Sequence, residues 1–156
     1  MAERVYLDTN VYCRPLDDQS DKRIQIESHT FIEIANIALS GKIEIVTSDY
    51  VKFEIEEILD PLKRKDVRGF ERNLSSINIT SSERLITLAR EFSAECNLNS
   101  LDALHASAAC IGDANFLLTC DDEILHKKVC IEKLSAEKEY RLKVRNPVNY
   151  LKERQR

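Results

Sequence analysis

Arg4-Val5-Tyr6-Leu7, followed at once by Asp8-Thr9-Asn10, is the stretch from which the architecture can be read. A β-prone run stops at three turn-forming polar residues, so a short strand delivers a carboxylate to its own carboxyl end. Two later segments repeat the idea. Ile43 to Thr47 is almost continuously apolar, as suits a strand buried in a parallel sheet. Ala114 to Thr119 is a third strong strand, and it runs into Cys120, Asp121 and Asp122.

Helical periodicity fills the intervals. Ile24, Phe31, Ile32, Ala35 and Leu39 recur at helical spacing and predict a helix over Lys22 to Leu39, with Gly41 as its stop. Ile26, Ile34 and Ile37 lie off that stripe, as a helix buried on two sides or one carrying a partner surface would require. Ser48 or Asp49 caps a helix reaching about Leu59, and Pro61 to Leu74 reads as a charged, exposed helix. Leu85, Leu88, Ala89, Phe92 and Cys96 form a clear stripe behind a Ser81 or Ser82 cap. The segment opened by Ser100 is nearly all apolar and therefore reads as a buried helix. Ile77 to Ile79 is a weak strand, Leu142 to Val144 an edge strand, and Pro147 starts a last short helix. Asp122 to Lys127 forms a short helix for which Asp122 is a natural cap. Strands alternating with helices imply an α/β domain with a central, mostly parallel sheet and right-handed crossovers. Such sheets bind ligands beyond the carboxyl ends of their strands.

At 156 residues the chain is one ordinary domain, read as residues 1–150 with a basic tail over 151–156. Its start, MAERVYLDTN, lacks the apolar run of a signal peptide, and no segment approaches bilayer-spanning length, so a cytoplasmic protein is expected. The five cysteines lack CxxC spacing and lie mostly in apolar runs, which reads as reduced thiols rather than a zinc site. A net charge of −4 disfavours a passive nucleic-acid binder, yet suits an enzyme that keeps acids for a metal. There is no GxSxG elbow, P-loop or dinucleotide glycine pattern.

Four acids carry the chemistry. Asp8 and Asp121 follow strands, and a turn or cap would use either residue equally well. Glu54 shares its helix with Glu56 and Glu57. If Val51, Ile55, Ile58 and Leu62 centre the apolar stripe, Glu54 lies about 80° from it, and the other two lie about 120° and 140° away. Glu54 therefore sits on the margin, where a side chain can point into a cleft. Asp102 occupies the first turn of its helix, which the macrodipole favours in any case. Ala106 and Ala109 beyond it would let that face approach the sheet closely. His105, one turn on, could reach the same cleft, although a satisfied buried histidine is the better explanation. Four converging carboxylates repel one another unless they share a cation, and their hard oxygens suit Mg2+ or Mn2+.

At these residues the chain resembles a PIN domain, the fold shared by VapC-type toxins and many RNA-processing nucleases. Asp8-Thr9-Asn10 resembles the opening D-x-N/S motif. Ser48 with Glu54 six residues later matches the second motif, Leu101-Asp102-Ala103-Leu104-His105-Ala106 the third, and Leu118-Thr119-Cys120-Asp121 the fourth. VapC toxins often end this last motif as T-x-N-x-x-D-F. Here Ile124 stands where the later acid would fall, so only Asp121 carries over. The resemblance implies a three-layer α/β/α fold and a Mg2+- or Mn2+-dependent endoribonuclease, commonly a homodimer. In a toxin, an antitoxin inserted near the cleft would hold it inactive. Asp8, Asp102 and Asp121 would form the anionic cluster for one or two ions, and Glu54 would orient the attacking water. Asn10, Ser48 and Thr119 would support these carboxylates or the phosphate. Arg14, Lys63, Arg64 and Lys65 are candidates for contacts to the RNA backbone. A haloacid-dehalogenase-type phosphatase would want an Asp where Asn10 stands. A non-catalytic RNA-binding or protein-interaction scaffold is the remaining alternative.

Overall fold

The computed structural model describes residues 2–156. Its centre is a five-stranded sheet of order β3-β2-β1-β4-β5 with every pairing parallel. The strands are β1 (Glu3–Leu7), β2 (Ile43–Ser48), β3 (Ser75–Ile79), β4 (Phe116–Leu118) and β5 (Lys143–Arg145). The chain steps outward from β1 to β3, then returns past β1 to β4 and β5. Right-handed crossovers running in opposite directions place their helices on opposite faces. The result is a three-layer α/β/α domain. The strand order reverses between β1 and β4, and ligands gather outside such a switch point. There the amide of Asp8 donates to the carbonyl of Leu118 at 2.9 Å, joining the ends of the two strands.

Asp8 caps a helix rather than a loose turn: α1 (Thr9–Cys13) begins directly after it. The helix α2 spans Lys22–Leu39, and Gly41 follows at φ 83°, a left-handed conformation that glycine adopts without cost. The expected apolar face of α2 is corrected. Phe31 and Ile34 are buried beside Glu27, Ser28 and Thr30, whereas Ile32 and Leu39 are exposed. Polar residues share this interior because Glu27 accepts from Arg14, Arg23 and Asn146, which satisfies its buried carboxylate. The next helices are α3 (Asp49–Glu56), α4 (Pro61–Leu74), α5 (Glu83–Cys96) and α6 (Ser100–Ile111). Leu62 belongs to α4, not to the stripe of α3, and is exposed. All five stripe residues of α5 are buried. Gly112 ends α6 against the sheet, where an added Cβ would stand 2.8 Å from Val46 Cγ1.

Beyond β4 come α7 (Asp122–Leu125), α8 (Lys128–Glu137) and α9 (Pro147–Arg154). Asp121, not Asp122, caps α7, and Ile124 is buried in the core. Periodicity gave no sign of α8. Residues 151–154, read as tail, continue α9, and Leu151 is buried. The reduced-thiol expectation fails for one pair. Cys96 at the end of α5 and Cys130 in α8 form a disulfide, their Cα atoms 5.6 Å apart and so within bridging range. Cys13, Cys110 and Cys120 are free. Among the described residues no helix is long and apolar enough to cross a membrane.

Candidate metal centre

β1 and β4 end side by side, and that juxtaposition builds the floor of the site. Asp8 is 5% exposed, and both its carboxylate oxygens accept from neutral donors. Oδ1 accepts from the amide of Thr9 at 2.7 Å. Oδ2 accepts from Thr119 Oγ1 at 2.8 Å and Asn10 Nδ2 at 3.1 Å. Asn10 Oδ1 accepts in turn from the amide of Cys120, and Thr119 Oγ1 from the amide of Asp121. A single network therefore ties the first and fourth motifs together across the switch point. Burial raises the pKa of Asp8, Glu54 adds to the rise, and His105, Thr119 and Thr9 oppose it.

The wall comes from α3 and α6. Ser48 caps α3 through its Oγ, accepting from the amide of Val51, and this places Glu54 two turns along at the edge of the core. Glu54 is partly buried whereas Glu56 and Glu57 are exposed, as the helical angles required. Its Oε1 accepts from Thr9 Oγ1 at 2.7 Å and lies 2.5 Å from His105 Nε2. Burial alone would raise the Glu54 pKa, but the hydrogen bond and charge of His105, aided by Thr9, leave it below the ordinary value.

His105 is 1% exposed and is the hub of the cleft that its place one turn after Asp102 suggested. Its Nδ1 lies 2.7 Å from the hydroxyl of Tyr6, which lies 2.6 Å from Ser48 Oγ. Its Nε2 stands 3.9 Å from Asp8 Oδ1. Asp8, Glu54 and His105 each offer one ligand atom, and the three atoms lie within 4.8 Å of one another. Asp102 and Asp121 are not part of that tight group. Asp102 is half-buried in the first turn of α6, and its pKa is pushed up to about 6 by burial, Asp8, Asp121 and Glu54 against the opposing pull of His105. Its carboxyl thus feels the other three acids. Asp121 Oδ1 is engaged in capping, accepting from the amide of Glu123 at 2.9 Å.

The supporting residues divide. Asn10 and Thr119 hold Asp8 directly, whereas Ser48 touches no carboxylate and reaches the site only through Tyr6 and His105. Of the basic candidates, Arg14 pairs with Asp17 and Glu27, Lys63 with Asp17, and Arg64 donates to the carbonyl of Ile58. Lys65 is exposed. Thr9 and Tyr6 are the functional neighbours that sequence reasoning passed over, and His105 was placed near the cleft without a role. Only His105 carried a signal, its position three residues after Asp102 on one helix face.

The donor set fits a divalent cation. Asp8 and Glu54 face one another with His105 as their only cationic partner among the described residues, and no Lys or Arg neutralises them. Two carboxylates, one buried and one partly buried, are stabilised by more positive charge than one imidazole supplies.

A family model for the PIN domain matches residues 5–130. No curated protein matches the chain by sequence. Among solved structures, a chain in the crystal structure of VapBC2 from Rickettsia felis, bound to a DNA fragment from their promoter, superposes with a TM-score of 0.54. That match covers 80% of this chain and 92% of the other at 15% identity, so it speaks for the fold.

Proposed function

This chain belongs to the PIN domain family, and from that membership and the grouping of Asp8, Glu54 and His105 we propose that it is a divalent-metal-dependent endoribonuclease, the toxin of a toxin–antitoxin pair. Members of the family are typically nucleases and usually use a divalent metal. The observation that carries the reading is a pair of carboxylates at the sheet's switch point, engaged by neutral donors and one histidine and by no Lys or Arg among the described residues.

In this reading Asp8, Glu54, Asp102 and Asp121 hold one or two Mg2+ or Mn2+ ions. A cation bound there would neutralise charge on the scissile phosphate and lower the pKa of a nearby water. Asn10 and Thr119 keep Asp8 in one orientation, and Ser48 acts through Tyr6 and His105. Glu54, fixed through Oε1 by Thr9, takes a proton from the attacking water at Oε2. The water oxygen bonds to phosphorus, the P–O3′ bond breaks, and a proton goes to O3′. The products are a 5′-phosphate and a 3′-hydroxyl. With Arg14, Lys63 and Arg64 held internally, Lys65 is left to meet the RNA backbone. Phe53, Leu59 and Leu62 are exposed around the α3–α4 junction, in the sequence neighbourhood of Glu54, and offer an apolar seat for an antitoxin segment. The working unit is a homodimer in the cytoplasm.

The test is cleavage of a mixed RNA set with Mg2+, Mn2+ or EDTA, comparing wild type with Asp8→Asn. Cleavage should need the ion and fall by about a hundredfold or more in the variant, the scale expected when a principal charge-stabilising group is lost. Equal cleavage by both proteins, or cleavage indifferent to EDTA, would remove the assignment.

A further inference from the structure

The cluster that supports the nuclease reading contains a nitrogen. We infer that Nε2 of His105 is itself a ligand of the bound cation, so that the centre is a mixed nitrogen–oxygen site that selects Mn2+ or a later first-row transition ion over Mg2+. This deepens the proposed function and rests on it, because it concerns the same ion.

Three observations support a ligand role. The first is position: Nε2 faces both Glu54 Oε1, at 2.5 Å, and Asp8 Oδ1, at 3.9 Å, from a ring that is 1% exposed. The second is the back of the ring. Metal-ligating histidines almost always donate their other N–H to a fixed partner, which sets the tautomer. Here Nδ1 lies 2.7 Å from the Tyr6 hydroxyl, and Tyr6 is itself wholly buried and 2.6 Å from Ser48 Oγ. Ser48 Oγ already accepts from the amide of Val51 as the cap of α3. With protons running from Nδ1–H to Tyr6 and from Tyr6 O–H to Ser48, the imidazole and phenol hydrogens both have acceptors. The lone pair of Nε2 is then turned on the carboxylates.

The third is charge. Nε2 and Glu54 Oε1 share a hydrogen bond at 2.5 Å in the metal-free protein. A cation held by Asp8 and Nε2 would supply in its place the positive charge that this hydrogen bond brings to Glu54. Mg2+ keeps to oxygen donors and dehydrates reluctantly, whereas affinity for a site with a nitrogen ligand rises from Mn2+ through Fe2+ and Co2+ to Ni2+. The relay from Ser48 through Tyr6 also gives motif two a purpose that its lack of carboxylate contact left open: it aims the imidazole.

The test is pulsed EPR of Mn2+-loaded protein, read beside titration of Mn2+ and Mg2+ binding. His29 and His126 are exposed and outside this cluster, so the His29→Gln/His126→Gln protein leaves His105 as the sole imidazole. It should keep a nitrogen coupling to bound Mn2+ like that of wild type. His105→Gln, which offers an amide group in place of Nε2, should lose the coupling, and its preference for Mn2+ over Mg2+ should fall about tenfold. Mn2+ bound in an Asp8-dependent way without nitrogen coupling in the double variant would overturn this inference and leave the nuclease proposal standing. So would a coupling that persists in His105→Gln. If neither ion binds in a way that Asp8→Asn abolishes, the proposed function falls as well. Should His105→Gln fail to fold, the double variant alone decides.

Discussion

Each acid of the site carries a different electrostatic load, and Asp102 carries the most visible one. Its pKa of about 6 lies above the ordinary 3.8 because burial and neighbouring acids penalise the charged form. A carboxyl whose folded-state pKa is raised binds its proton more tightly folded than unfolded. Stability of the metal-free protein is therefore highest below the lower value and is lost as pH rises from about 3.8 towards 6. Asp102→Asn removes that penalty. In EDTA at pH 7.5 the variant should melt above wild type, and the gap should close near pH 4. With Mn2+ present the order should reverse, because the lost ligand then costs more than the relieved repulsion. A variant that melts lower at every pH would mean that Asp102 is held by contacts rather than stressed by charge. Sequence reasoning reached the four acids through their places at strand ends and helix starts, and helical angles separated Glu54 from its neighbours. It missed Thr9 and Tyr6 because a threonine after an aspartate and a tyrosine in a buried strand look like a cap and a core residue. Each is that as well, Thr9 donating to Glu54 and Tyr6 meeting His105.

Elements were legible where apolar periodicity set their packing. The stripe of α5 is buried throughout, and the bounds of α2 and α4 follow from Asp21 and Asp60 caps that accept from the first-turn amides. The buried face of α2 was not legible, since Glu27 lies inside it and hydrophobic pattern does not foresee a buried carboxylate with three donors. Glu27→Ala should destabilise by about 3 kcal/mol, because it leaves Arg14 Nε and Asn146 Nδ2 without their acceptor. A loss under roughly 1 kcal/mol in denaturant unfolding would class that network as surface-like. The helix α8 escaped because its amphipathic signal is weak and Lys127 provides no side-chain cap. At the end of α6, Gly112→Ala would push a methyl to 2.8 Å from Val46 Cγ1 and 3.1 Å from Ile79 Cγ1. The expected cost is about 1–2 kcal/mol, or roughly 3–8 °C in Tm. An unchanged melt would show that β2 and β3 give way freely there.

Across the molecule, one topological fact organises the chemistry. The reversal of strand order brings the ends of β1 and β4 together, and residues 8 and 121, more than a hundred positions apart, come to share a network through Thr119. The α3 and α6 helices then lean Glu54 and His105 over that junction. Alternation of strands and helices foretold a parallel sheet, but not which two strands would flank the switch point, because strand order is settled by packing between distant segments. Anomalous diffraction from a crystal grown with Mn2+ reads the outcome directly. A peak should stand between Asp8 and Glu54, against His105, and be missing from Asp8→Asn crystals. Wild-type crystals whose only Mn2+ peaks sit on surface carboxylates away from that junction would show that these acids gather for some reason other than a cation.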